Sequence, residues 1–173
     1  MVVHERIAFF TLGVLKAPVG DAVVQGFVDR IGAVYAAAEG SAGFFDRSVR
    51  DVQTWEHSWG PVIAPRCVPT GLPLTQFAMT LSLWRDLESV AAFAYHGAHR
   101  EAMSKRADWF ESGPWPTYVA WWIHGDHRPD WREAVYRVDH LHEHGSTATA
   151  FSFRQPFDPA GAPVRMKAPR PAS

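Results

Sequence analysis

The stretch Gln76-Phe77-Ala78-Met79-Thr80-Leu81-Ser82-Leu83-Trp84 alternates large apolar residues with small or polar ones, and Arg85-Asp86-Leu87-Glu88-Ser89-Val90-Ala91-Ala92-Phe93-Ala94-Tyr95-His96-Gly97-Ala98-His99 follows it directly. A period of two predicts a strand with Phe77, Met79, Leu81 and Leu83 on one face and Ala78, Thr80, Ser82 and Trp84 on the other. Past Trp84 the period changes. A helix is predicted in two segments meeting near Gly97, and Tyr95 and His99, four apart, share one stripe of it.

Upstream, the apolar run Ile7–Val14, stopped by Ala17-Pro18, predicts a first strand. Asp21 can cap a helix whose stripe runs from Val23 through Phe27, Ile31 and Tyr35 to Gly40. Phe44–Arg50 suits a second strand. Residues 51–73 carry Trp55, His57 and Trp59 among prolines and glycines; a loop of this length reads either as a lid over a site or as a surface excursion pinned by its tryptophans. Downstream, Pro114 and Pro116 precede a fourth strand over Thr117–His124. Pro129-Asp130 opens an amphipathic helix with Ala134, Val135, Val138 and Leu141 inward, closed by Gly145, and Phe151-Ser152-Phe153 adds a short edge strand.

The order strand, helix, strand, strand, helix, strand is that of a ferredoxin-like α+β sandwich, an antiparallel sheet with helices on one face. One domain over 1–154 and a proline-rich tail over 155–173 are expected. If the helices cover the face of Met79, Leu81, Leu83, Val119, Trp121 and Ile123, the opposite face presents Phe9, Thr11, Asp46, Ser48, Thr80, Ser82, Trp84, Tyr118, Trp122 and His124. An open sheet face this aromatic predicts pairing with a second copy, giving a homodimeric alpha/beta barrel with a partly polar interior.

Bulk properties exclude several partners. A net charge of -1 and the lack of a basic block argue against nucleic acid. No apolar run approaches the roughly 20 residues of a membrane span. The single cysteine, Cys67, has no internal disulfide partner, and a start without a signal-peptide pattern leads to a cytoplasmic expectation. The 8 Trp and 11 Phe favour cores, interfaces or flat apolar ligands.

Leu81-Ser82-Leu83-Trp84, Phe93-Ala94-Tyr95 with His99, Trp109-Phe110, Trp121-Trp122, Gly125 to Pro129 with His127, Glu133-Ala134, and Gly145 followed by Ala150-Phe151-Ser152-Phe153 together resemble the domain of unknown function numbered 3291. That family is placed in the dimeric alpha/beta-barrel superfamily. The resemblance covers roughly residues 6 to 154. It implies the fold, whereas the superfamily spans cofactor-free monooxygenases, polyketide cyclases, lyases, isomerases and haem proteins. Where family members often carry Val-Pro-Ala after the paired tryptophans, this chain has Ile123-His124-Gly125-Asp126, which puts an extra histidine near the pocket mouth.

The chemistry centres on His99, a proton acceptor or donor near neutral pH, with Tyr95 one turn away to bond a carbonyl or enolate. His124 and Asp46 are the further acid-base candidates. Phe9, Trp84, Tyr118 and Trp122 suit a slot for a planar ligand, with Thr11, Ser48, Thr80 and Ser82 as hydrogen-bonding groups. Each has a bland counterpart: His99 bonding a backbone carbonyl, and the aromatic rings packing a dimer core. No HExxH motif fixes a metal, and none is expected. The leading reading is a cofactor-independent cyclase, isomerase, lyase or monooxygenase acting on a hydrophobic, aromatic or polyketide-like metabolite. Haem held by one axial histidine, and a non-catalytic small-molecule binder, are the alternatives.

Overall fold

The computed structural model describes residues 5–166. Its elements are β1 (Glu5–Val14), α1 (Gln25–Glu39), β2 (Phe44–Arg47), β3 (Phe77–Trp84), α2 (Leu87–Tyr95), α3 (Gly97–Ser104), α4 (Arg106–Trp109), β4 (Tyr118–His124) and α5 (Trp131–His144). The sheet is antiparallel in the order β2-β3-β1-β4, the ferredoxin-like arrangement.

Local chemistry sets the helix starts. Asp21 accepts from the Val23 N–H ahead of a short 3-10 turn that runs into α1. Asp86 Oδ1 accepts from Ser89 N at 2.8 Å to begin α2, and Asp130 Oδ1 accepts from Glu133 N at 2.8 Å to begin α5. Gly97, at φ +59, separates α2 from α3; a side chain there would be strained, so the helix re-aims at that residue.

The expected assignment of sheet faces is reversed. The helices α1, α2 and α4 lie over the face of Ile7, Phe9, Ala78 and Trp84: Ala38, Leu87, Val90 and Phe93 pack against Ile7, Phe9 and Trp84, and Trp109 and Phe27 pack near Ala78. The other face, bearing Phe10, Leu81, Leu83, Val119 and Trp121, is closed by Trp131, Ala134, Val138 and Leu141 of α5 and by Trp59 and Val68 of the 51–73 loop. Alternation defines two faces but does not say which helix goes to which when both are apolar. Both faces are therefore covered within one chain, and the one expected to lie open is not open.

The loop is a strap. Asp139, 3% exposed on α5, accepts from Cys67 N at 3.0 Å, Arg66 N at 3.2 Å and Arg66 Nε at 3.3 Å. Trp59 is in the core, whereas Trp55 is 61% exposed with φ +64, so only one of the two tryptophans pins the segment. Of the expected edge strand at Phe151, only a bridge to Ala120 forms, with two 2.9 Å bonds on the outer edge of β4. The segment continues across that edge, where Phe157 O accepts from Trp122 Nε1 at 2.7 Å.

Candidate functional site

Three rows of side chains cross the helix-covered face. Trp84, Ile7 and Trp122 form one, Ser82, Phe9 and Ala120 the next, and Thr80, Thr11 and Tyr118 the third. The first two rows are closed over except at Trp122, which is partly buried. Phe93 stacks on Trp84 at 5.2 Å, Phe44 meets it edge-on at 5.2 Å, and Phe153 stacks on Phe9 at 5.6 Å. Trp84 Nε1 donates to Ser82 Oγ at 2.9 Å, and the Ser82 hydroxyl donates to Phe9 O at 3.3 Å. At the other end of the face, Phe110 presses onto Gly13, where a Cβ would collide with its ring, and meets Phe27 edge-on at 5.1 Å.

Between these two apolar clusters lies the third row. Thr11 and Thr80 sit on the two central strands, where full burial is the rule, yet both remain partly accessible. On the α5 side Phe10 and Leu81 are 0% exposed, while Met79 is partly buried. The helical layer over this face is loosely packed: Phe27, Val28, Ile31, Val34 and Tyr35 of α1 are only partly buried, and α3 has no fully buried residue. The result is a seam floored by a hydroxyl pair and walled by aromatic rings.

His99 belongs to this layer, against Phe93 at a centroid distance of 4.9 Å. Its Nδ1 lies 2.8 Å from Ala94 O, so Nδ1 carries the proton and Nε2 is left as the basic nitrogen. Burial holds the imidazole below its usual range, with the Ala94 bond opposing, which keeps it neutral at physiological pH. Tyr118 packs on Phe9 and Phe153, and its oxygen accepts from Phe153 N at 3.2 Å, leaving its O–H to donate. Burial pushes this phenol up, while the Phe153 N–H and Arg154 pull the other way. Tyr95 is 50% exposed at the rim, 6.4 Å from Phe153.

The other residues singled out from the sequence go elsewhere. His124 pairs with Glu5 at 2.5 Å at the far end of β4, about 20 Å along the strand from Tyr118 at 3.3 Å per residue. Asp46 is exposed and opposite Leu83, because a bulge between Phe44 and Asp46 shifts the register; its carboxylate accepts from Arg47 N. Ser48 lies past the end of β2 and accepts from Trp131 Nε1 at 3.1 Å, under α5. Trp84 and Phe9 are core residues, 1% and 3% exposed, and Trp122 is tied to Phe157. The sequence reading overlooked Phe93, Phe110 and Phe153 as walls; the Phe151-Ser152-Phe153 alternation was visible, but not the strand it would cross.

No curated protein matches this chain. Among solved structures it is similar to a conserved protein from Methanosarcina mazei (10% identity, TM-score 0.44, 71% of this chain and 95% of that one). It is also similar to a Nitrosomonas europaea protein provisionally described as an antibiotic biosynthesis monooxygenase (9%, 0.42, 75% and 97%). A third is a dimeric ferredoxin-like protein of unknown function from Thermobifida fusca (14%, 0.39, 69% and 91%). Among the described residues no helix is long and apolar enough to cross a membrane. With a family model matching residues 6–167, the chain belongs to the domain of unknown function family DUF3291.

Proposed function

We propose that the seam binds a small, flat, apolar-bodied molecule and that His99 performs acid-base chemistry on it without a bound cofactor. The observation that carries this reading is the unsealed Thr80–Thr11–Tyr118 row between two aromatic clusters, since hydroxyls left accessible on central strands are more useful to a ligand than to a core. In the step proposed, His99 Nε2 takes the proton from a carbon beside a ligand carbonyl. The C–H pair moves toward the carbonyl oxygen, and the enolate formed accepts a hydrogen bond from Tyr118 or the threonine pair. Return of the proton to another carbon, or attack by the enolate on a second carbonyl, gives isomerisation or cyclisation. Every group comes from one chain, so a homodimer, which the sequence predicts, would be assembled outside the seam.

A cheap test is deuterium exchange into 2-tetralone in heavy water, followed by proton NMR. Catalysed exchange that disappears in His99→Gln supports the reading. Exchange no faster than buffer, with no shift of the Thr11, Thr80 or Tyr118 resonances, defeats it. A second reading rests on one observation: a histidine whose Nδ1 donates to a backbone carbonyl is oriented like a metal-ligating histidine. In that reading His99 Nε2 would hold haem, which would supply redox or oxygen chemistry when bound. Hemin titration producing a Soret band lost in His99→Ala would establish it.

A further inference from the structure

Beyond Phe153 the chain folds into a hairpin in which Phe157 pairs with Pro163 and Val164 N donates to Pro156 O at 2.9 Å. Asp158 closes its turn, donating from its N–H to Ala162 O and accepting from Ala162 N. This hairpin forms a groove of about 440 Å³ lined by Arg154, Gln155, Phe157, Pro163 and Arg165. That volume falls within the roughly 300–1,000 Å³ of small-molecule sites. Among the described residues, neither guanidinium has a carboxylate or a side-chain hydrogen-bond partner. The one acid of residues 154–166, Asp158, has its carboxylate engaged with the turn backbone.

Two like charges lining one groove repel unless an anion sits between them, and the planar guanidinium fork matches a carboxylate. One wall of the groove adjoins the seam, and the other adjoins the row of Trp122. Arg154 directly follows Phe153, whose ring packs on Tyr118 at 4.9 Å, and Phe157 is bonded to Trp122. We propose that the groove is an anion-binding subsite, and that the ligand is an aromatic carboxylate whose charged end lies between Arg154 and Arg165 while its flat body lies toward Phe153 and Tyr118. This rests on the seam as the ligand site.

The test uses the full chain with three probes, 2-naphthoate, neutral 2-naphthamide and inorganic phosphate, read by titration calorimetry and by NMR shifts. Expected are 2-naphthoate shifts at Arg154, Arg165 and Tyr118, with 2-naphthamide binding about tenfold or more weakly. The doubly substituted Arg154→Gln/Arg165→Gln protein should lose that preference while binding 2-naphthamide as before. Both arginines are exposed, so the fold should persist, as circular dichroism would verify. Equal binding of acid and amide, unaltered 2-naphthoate affinity in the double variant, or no binding at millimolar concentration overturns the proposal. Phosphate binding as tightly as 2-naphthoate overturns the aromatic part of it. Shifts at Thr11 and Thr80 without shifts at the arginines remove the anion subsite but keep the seam; shifts at the arginines alone keep the subsite and remove the seam.

Discussion

Thr11 and Thr80 face each other across β1 and β3 with their hydroxyl oxygens 2.6 Å apart. They form a side-chain bridge in the middle of the sheet, one row from the buried Ser82 hydroxyl. Removing one hydroxyl leaves the other without its partner, whereas removing both leaves two methyl-bearing side chains of matched shape. Thr80→Val should therefore cost about 1 kcal/mol, and the double Thr11→Val/Thr80→Val variant less than the sum of the singles. Urea unfolding of the four proteins measures this coupling; strict additivity would mean that the pair does not act as a unit.

Acidification should weaken the fold through His99. Unfolded, its imidazole titrates near 6.5; folded, burial lowers that value. Between the two values the unfolded chain holds more protons, so stability rises with pH there and is complete above about 6.5. His57 acts with the same sign, lowered by burial and then by Arg50. Asp51 and Asp86, both lowered from 3.8, contribute only in a more acidic window, where stability falls as they protonate. A melting midpoint that declines from pH 7 to 5 in the wild type, and less in His99→Gln/His57→Gln, is the expected result.

Asp139→Ala should release the strap. The substitution strips two backbone N–H groups and a guanidinium of their common acceptor, at a cost of about 2 to 4 kcal/mol. It should also expose a thiol. Cys67 is pushed up to about 12 by burial and then by the Asp139 carboxylate, which keeps it unreactive. Thiol alkylation followed by mass spectrometry should run faster in the variant; unchanged alkylation would show that other contacts hold the strap closed.

Gly13→Ala tests the opposite wall. The new methyl meets the Phe110 ring, and overpacking of this kind costs about 1 to 3 kcal/mol. Because Phe110 borders the seam, its displacement should also weaken 2-tetralone binding. A protein destabilised yet unaltered in ligand binding would separate the ring from the site.

The strands, their order and the caps at Asp21 and Asp130 were legible because alternation and capping are local properties. The distribution of helices between the two faces was not. Trp84 and Trp121 are equally apolar, and nothing along the chain distinguishes the side that receives α2 from the side that receives α5. Of the candidate residues, Thr11, Thr80 and Tyr118 share one row as the strand pattern placed them, and His99 lies in the helical layer against Phe93. Asp46 failed because one bulged residue inverts all that follows it, and Ser48 lay beyond the strand end. His124 lies at the opposite end of β4 from Tyr118, paired with Glu5.

Closure of the second sheet face by α5 and the strap also bears on how this protein can change over time. Trp131, Ala134 and Val138 are fully shielded there, each large apolar side chain contributing about 1.5 to 3 kcal/mol, so cohesion is concentrated on the side away from the seam. The helix-covered side carries less of that burden. Relatives that keep the α5 face while diverging around Phe93, Phe110 and Phe153 would form a lineage whose specificity drifts on a fixed chassis.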